Sequence, residues 1–255
     1  MIFYFSGTGN SLQAAWAMLS PGEELLDMAK CVRERKFSFS IPAEEPVGFV
    51  CPVYFGGLPS VVREFIAACK TDGADRYRYG VLTCGGSPQA AAEMLRSDLA
   101  AAGMALNACF AVTMPDNYVV VFTLDSDEKI RRTLSAAERE LKKIKARVDA
   151  RESVSVKCSA PAKVLSAVMY PLYDRARKTA WFTADDQCIG CGTCAGRCPA
   201  QAIVMRNGRP KWIKDRCIHC MACVRCGAVQ YGKTTAGKKR YTNPILKKGA
   251  GHAHH

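Results

Sequence analysis

Eight cysteines within 39 residues carry the clearest chemical signature in this chain. They read C-x2-C-x2-C-x3-C-P at Cys188, Cys191, Cys194, Cys198 and Pro199, and a second quartet follows at Cys217, Cys220, Cys223 and Cys226. Three thiolates at two-residue intervals wrap one site and a remote fourth closes it, which is the ligand supply of a [4Fe–4S] cube. Gly190, Gly192, Ala195 and Gly196 are small enough for the backbone to approach sulfide and donate N–H groups to it. Zinc and disulfides are the competing readings. Zinc sites use two C-x2-C pairs separated by a spacer, whereas a third cysteine at the same interval followed by C-P favours the cube. Disulfides are not expected, because the apolar run starts directly after Met1 without room for an export signal, and the chain is long enough not to need staples. The second quartet is less regular: Cys226 follows Cys223 after only two residues, and Gly227 stands where the first quartet has proline.

A second constellation lies at the start. Ile2 to Phe5 reads as a buried strand, Ser6-Gly7-Thr8-Gly9-Asn10-Ser11 as a turn, and Leu12 to Leu19 as a helix. Strand, Gly-rich turn and helix start form an anion site from converging N–H groups, the hydroxyls of Ser6, Thr8 and Ser11, and the helix dipole. No lysine follows Gly9 and no G-x-G-x-x-G is present, which excludes a nucleoside triphosphate loop and a dinucleotide fingerprint. Two later loops belong with it. Pro46 to Cys51 reads as a strand that ends in Pro52-Val53-Tyr54-Phe55-Gly56-Gly57-Leu58-Pro59, and Tyr79 to Thr83 as another that leads into Cys84-Gly85-Gly86-Ser87. Aromatic residues in a Gly- and Pro-punctuated loop at a strand's C-terminal end can cover a planar ring or pack into the core. Asn117 and Tyr118, after the strand expected over Ala105 to Val112, could reach a ring edge or cap a turn.

The elements that must position these residues alternate. With a short strand at Glu24 to Asp27, and helices over Val61 to Cys69, Pro88 to Ala102 and Asp127 to Val148, five strands and their helices make a doubly wound parallel α/β sheet. From Arg151 to Thr183, the apolar Val164, Leu165, Val168, Met169, Leu172 and Tyr173 recur at helical intervals, with Arg175, Arg177 and Lys178 following. Such a segment can lie on a membrane surface, but Pro171 and its place between two domains favour packing against its neighbours. Cys31, Cys51, Cys69, Cys84, Cys109 and Cys158 stand singly and are expected as small buried hydrophobes, Cys84 being the one in a candidate cofactor loop. His252, His254 and His255 are assigned nothing.

The 255 residues are 49% hydrophobic and 23% charged, which suits a globular chain with one sizeable core and a small appendage. No run of 18 apolar residues is present, so no transmembrane segment is expected. The net charge of +13 is uneven: residues 1–150 hold 17 basic and 18 acidic side chains, and residues 151–255 hold 19 and 5. A basic domain invites a nucleic-acid reading. Two clusters would return negative charge to this half, and an acidic redox partner accounts for the remainder at least as well.

The hexapeptide Ser6 to Ser11 after a first strand resembles the flavodoxin phosphate loop, and the cysteine run resembles a two-[4Fe–4S] bacterial-type ferredoxin domain whose second half-repeat has lost residues around Cys226. The whole chain is similar to the flavodoxin–ferredoxin fusions of anaerobes. That resemblance implies a sheet in the order 2-1-3-4-5 followed by a small α+β two-cluster domain. It implies FMN held by Ser6, Gly7, Thr8, Gly9, Asn10 and Ser11, with Pro52, Val53, Tyr54, Phe55, Gly56, Thr83, Cys84, Gly85, Gly86, Asn117 and Tyr118 around the ring. It pairs Cys188, Cys191 and Cys194 with Cys226, and Cys217, Cys220 and Cys223 with Cys198. The expected division is a flavodoxin-like domain at 1–150, a helical connector at 151–183, the cluster domain at 184–240 and a basic tail at 241–255. The expected function is electron transfer between clusters, FMN and external redox proteins, in the cytoplasm, as a carrier more than an enzyme with its own substrate. A flavin-dependent reductase of a small organic or quinone-type acceptor and a cluster-containing nucleic-acid-binding sensor are the alternatives. The oligomeric state stays open, a dimer included.

Overall fold

The computed structural model describes residues 1–73, 75–154 and 158–248. The end of the expected tail, with His252, His254 and His255, lies outside the described residues. Contacts divide the described chain into two bodies: Met1–Ser6, Asn10–Pro115 and Glu128–Tyr173 form the first, and Gly7–Gly9, Asp116–Asp127 and the chain from Asp174 onward form the second.

In the first body the strands are β1 (Ile2–Tyr4), β2 (Leu25–Asp27), β3 (Ser38–Phe39), β4 (Val47–Pro52), β5 (Lys70–Thr71), β6 (Arg78–Cys84) and β7 (Ala108–Thr113). The main sheet is parallel and runs β2-β1-β4-β6-β7; the two-residue β3 and β5 pair separately. With those two set aside the order is 2-1-3-4-5, the flavodoxin-like doubly wound arrangement. Central strands covered on both faces are dominated by apolar residues: the first five of β4 are buried, and so is every residue of β6, where the buried Arg78 donates to Arg76 O, Thr71 Oγ1 and Gly73 O. Alternate residues supply two cores. Ile2, Val50, Tyr79, Val81, Ala108, Phe110 and Val112 face Ala14, Ala15 and Met18 of α1 (Asn10–Met18) and Ala137, Leu141, Ile144 and Val148 of α5 (Asp127–Asp149). On the opposite face Phe3 sets its ring 5.6 Å from Phe49, 4.9 Å from Phe65 of α3 (Ser60–Ala68) and 4.7 Å from Phe39. Leu95 of α4 (Ala91–Ala101) lies over Gly80 on that face.

One helix, α2 (Met28–Glu34), has no counterpart in the sequence reading. Asp27, the last residue of β2, caps it: its Oδ1 accepts from Ala29 N at 2.7 Å and from Lys30 N at 3.2 Å. α6 (Ala160–Ala176) corrects an expectation about the connector. Val164, Leu165, Val168 and Leu172 face solvent with 46–65% of their surface exposed, while Ser166 and Tyr173 are buried. The reason is hydrogen bonding. Ser166 Oγ donates to Gly56 O at 3.0 Å, Tyr170 OH donates to Leu58 O at 2.7 Å, and Ser60 N donates to Tyr173 OH at 3.3 Å. Carbonyls of a tight loop need donors, which the hydroxyl side of the helix supplies and its aliphatic side cannot.

The second body pairs β8 (Phe182–Ala184) antiparallel with β11 (Val229–Tyr231) and joins β9 (Ile203–Arg206) to β10 (Arg209–Trp212) in a hairpin. Asn207 and Gly208 turn that hairpin with φ of 49° and 70°, the left-handed pair that a two-residue loop favours. The short helices α7 (Thr193–Gly196) and α8 (Ile245–Lys248) complete it. Phe182, Cys194, Ile203, Met221, Val224 and Val229 form a small apolar core joined by Val119, whose carbonyl accepts from Lys238 Nζ at 2.9 Å. Among the described residues no helix is long and apolar enough to cross a membrane.

A Cβ added at Gly48 would sit 2.6 Å from the ring of Tyr79, a side chain with no room to retreat because it is fully buried. Gly48→Ala is expected to lower unfolding free energy by about 1–3 kcal/mol through overpacking. Gly86→Ala, where nothing lies within 4 Å, is expected to change it little. Urea midpoints at an unchanged m-value check both.

Candidate cofactor sites

The two cysteine loops share one backbone device. In the first, Gly190 and Gly192 flank Cys191 with φ of 71° and 72°; in the second, His219 and Met221 flank Cys220 with φ of 58° and 59°. A left-handed residue on either side of the middle cysteine curls each C-x2-C-x2-C segment around a centre. Glycine adopts this readily, and a Cβ at Gly190 would also lie 2.7 Å from Gly208 O. His219 and Met221 hold the same conformation at a cost of about 1–2 kcal/mol each. Packing offsets it for His219, which is buried among the rings of Phe182, Tyr231 and Tyr118 at 6.0, 5.0 and 5.4 Å, with Nε2 3.0 Å from Tyr118 OH. Burial pulls the His219 pKa down to about 4, so the ring is neutral at neutral pH. The sequence reading missed both residues; superposing one cysteine loop on the other would have placed them opposite Gly190 and Gly192.

The structure brings four of the thiols to one cavity. Cys198, Cys217, Cys220 and Cys223 line one cavity with Phe182, Ile203, Trp212 and Ala222. Burial pushes Cys217 up to about 11, with Cys198 adding to the shift, and Cys220 up to about 12, with Cys217 and Cys198 adding. Cys223 is driven well above the usual thiol range, first by burial and then by Cys220, Cys217 and Cys198. Two backbone amides already point at sulfur: His219 N lies 3.2 Å from Cys217 Sγ, and Ala202 N lies 3.3 Å from Cys198 Sγ. Cys194 is raised by burial, with contributions from Cys226 and Cys188. Cys191 is exposed and held below the usual thiol range, chiefly by its hydrogen bond with Thr193 Oγ1 at 3.2 Å. Cys226 is exposed in a short 3-10 turn over Val224–Cys226. Among the described residues no three His, Cys, Asp or Glu side chains converge where a single metal ion could sit; in the buried group the thiols ring a cavity instead. Four thiols lining one cavity, two of them accepting from backbone amides, fit a cluster held by thiolates that accept amide hydrogen bonds.

The Gly-rich loop is divided between the bodies. In the first, Asn10 Nδ2 donates to Pro115 O at 3.0 Å, and the buried hydroxyls of Ser11 and Thr83 meet at 2.7 Å. In the second, Gly9 has φ of 102°, Thr8 O accepts from Asn243 N at 2.9 Å, and Asn117 Nδ2 donates to Thr8 Oγ1. A Cβ at Gly7 would lie 2.2 Å from Cys220 O, and one at Gly9 would lie 2.8 Å from Asn243 Cβ and 2.9 Å from Leu246 Cγ. Asn117 and Tyr118 thus belong with the cysteine body, where the Tyr118 hydroxyl meets His219.

The other expected ring contacts lie in the first body. Val53 N donates to Thr83 O at 2.9 Å, which fixes the exit of Pro52 and Val53 from β4. Tyr54 and Gly57 exchange both backbone hydrogen bonds across Phe55 and Gly56, whose φ of 51° and 77° make a tight left-handed turn. Tyr173 of α6 sets its ring 5.7 Å from Phe55 and 6.0 Å from Tyr54. Cys84 is buried, its thiol donates to Gly86 O at 3.3 Å, and burial pushes it up to about 11, so it is protonated and unreactive at neutral pH. Gly85 and Gly86 are exposed. Of the remaining single cysteines, Cys31, Cys51, Cys69 and Cys109 are buried and Cys158 is half-buried.

Residues 187–228 match the family profile described as a 4Fe-4S dicluster domain. No curated protein matches the chain. Among solved structures, a putative flavoprotein from Bacteroides uniformis ATCC 8492 is similar over 53% of this chain and 96% of its own, at 13% identity and a TM-score of 0.33. An azoreductase from Bacillus anthracis strain Sterne is similar over 56% and 97%, at 12% identity and 0.36. A flavodoxin from Streptococcus pneumoniae TIGR4 is similar over 56% and 97%, at 17% identity and 0.31. Scores this low leave the strand order itself as the ground for the fold. By that order and by the matched cysteine segment, the chain joins a flavodoxin-like α/β sheet to a 4Fe–4S dicluster domain.

Proposed function

We propose that this chain is an electron-transfer iron–sulfur flavoprotein that holds two [4Fe–4S] clusters and FMN and exchanges low-potential electrons with acidic redox proteins in the cytoplasm. The observation that carries the reading is the cavity ringed by Cys198, Cys217, Cys220 and Cys223, a set drawn from both cysteine motifs. When bound, the clusters supply one electron at a time and the flavin accepts one or two. The residues do the holding. Cys217, Cys220, Cys223 and Cys198 bind one cluster, and Cys188, Cys191, Cys194 and Cys226 the other. The amides of His219 and Ala202 donate to the ligand sulfurs of the first set, and the rings of Phe182, Tyr118 and Tyr231 exclude water around His219. Ser6 to Ser11 is the proposed phosphate loop, with its backbone N–H groups as the neutral donors, since the side chains of Asn10 and Ser11 are engaged by Pro115 and Thr83; it lacks any dinucleotide spacing. Tyr54 and Phe55, braced by Tyr173, and the exposed Gly85–Gly86 turn are the proposed ring-side contacts.

An anaerobic preparation is expected to contain about eight iron and eight sulfide per chain. Cys198→Ser and Cys226→Ser are each expected to lose about half of the iron, and the two losses should affect different clusters, read by electron paramagnetic resonance of the remaining one. Equal loss of both signals from Cys198→Ser would contradict the pairing, and zinc in place of iron would contradict the reading as a whole.

The flavin released by heat is expected to be FMN, and Gly9→Val is expected to abolish its retention. The cause differs from simple occupation of the phosphate position: the added side chain meets Asn243 and Leu246, and φ of 102° excludes a branched residue. FAD in the extract, or full flavin content in the variant, overturns this assignment.

A further inference from the structure

The second body carries a cleft of about 770 Å³ between the segment Lys178 to Ala184 and the segment Arg209 to Arg216. Five cations line it, Lys178, Arg209, Lys211, Lys214 and Arg216, against the single carboxylate of Asp215. Arg209 is paired with Asp186 at 3.3 Å and Arg216 with Asp174 at 3.4 Å. Among the described residues no ion pair engages Lys178, Lys211 or Lys214; the Lys214 ammonium donates instead to Ala200 O at 2.7 Å. The lining between the cations is apolar, made by Ala180, Phe182, Trp212 and Ile213. Phe182 and Trp212 stack with centroids 5.8 Å apart and planes 15° from parallel. The same two rings line the cavity of Cys198, Cys217, Cys220 and Cys223. They are the wall between a basic cleft and four thiols.

We propose that this cleft is the docking port of an acidic one-electron carrier protein, and that electrons pass between the carrier and the cluster held by Cys198, Cys217, Cys220 and Cys223 across Phe182 and Trp212. The proposal rests on the cluster assignment above. Charge is the argument for the occupant. Unpaired lysines around an apolar lining complement a carboxylate-rich, convex surface, and opposite charge steers encounter without demanding tight binding. Contacts of this kind between redox proteins bury little area, and a shallow cleft is sufficient for them. In the step itself the reduced carrier gives up one electron and is oxidised, and the cluster gains that electron; no bond forms or breaks and no proton moves.

The test uses the full chain, loaded anaerobically, with an acidic plant-type ferredoxin as the probe. In Lys178→Glu/Lys211→Glu/Lys214→Glu, ferredoxin binding measured by calorimetry at low ionic strength is expected to weaken at least tenfold. The second-order rate at which reduced ferredoxin reduces the clusters is expected to fall at least as far. At about 1 M salt, where the Debye length is about 3 Å, the two proteins should converge. Reduction by methyl viologen radical and the iron content should stay at the wild-type level. Should loss of the Lys214 bond to Ala200 unfold the triple variant, Lys178→Glu/Lys211→Glu carries the same expectation. Unchanged ferredoxin binding in these variants overturns the proposal, as does a protein that binds inorganic pyrophosphate at this cleft and no ferredoxin. A preparation without iron defeats the cluster assignment instead, and ferredoxin binding to that protein still decides whether the cleft is a docking port.

Discussion

The second body depends on cysteine loops that bring Cys198, Cys217, Cys220 and Cys223 to one cavity within a segment too short to build a large conventional core. The left-handed residues on either side of Cys191 and Cys220 curl the backbone of both loops, and the amides of His219 and Ala202 donate to the sulfurs of Cys217 and Cys198. Once that curl is set, few other choices remain. Gly190 must have no side chain because Gly208 O occupies the space, and the hairpin turn at Asn207 and Gly208 must hold its place to provide that neighbour. In the second loop, where His219 stands at the position of a glycine, the strain is compensated by a cage of aromatic rings drawn from β8, β11 and the segment around Tyr118. The small apolar core of this body is thus arranged around the cysteine loops, with Cys194 as one of its members.

Within the first body the sheet gives the same lesson in reverse. A large apolar core fixes the strands, and the loops at their C-terminal ends inherit their shape from it. The turn at Phe55 and Gly56 would leave carbonyls without donors, and α6 supplies them from Ser166 and Tyr170. That requirement explains why a helix with Val164, Val168 and Leu172 on one side turns that side outward. A buried carbonyl left without a partner costs about 1–3 kcal/mol, comparable to what burying one aliphatic side chain returns.

Charge and burial divide the work between the thiol groups. Cys220 and Cys223 lie behind Phe182, Trp212 and Met221, whereas Cys191 and Cys226 are exposed. A low dielectric and neighbouring thiols raise the cost of ionising the buried set, and a cluster's metal charge repays that cost by replacing the proton. At the exposed Cys191 the hydrogen bond with Thr193 favours the thiolate.

By itself the sequence determined the elements whose signal is local or repetitive. The interval of Cys188, Cys191, Cys194 and Cys198 announced its chemistry, and the apolar runs Ile2 to Phe5, Pro46 to Cys51, Tyr79 to Thr83 and Ala105 to Val112 announced buried parallel strands in an alternating α/β order, because strands covered on both faces are predominantly apolar. Tertiary structure decided whatever depends on a partner distant in the chain. The helix Met28–Glu34 is not such a case: its Asp27 cap on Ala29 and Lys30 is a local signal that the sequence reading missed. Asn10 and Ser11 look like anion donors in the sequence, yet Pro115 and Thr83 claim their side chains across strands more than 70 residues away. Hydrogen-bonding capacity is a property of the residue, but its use is settled by whichever group the fold brings within 3 Å.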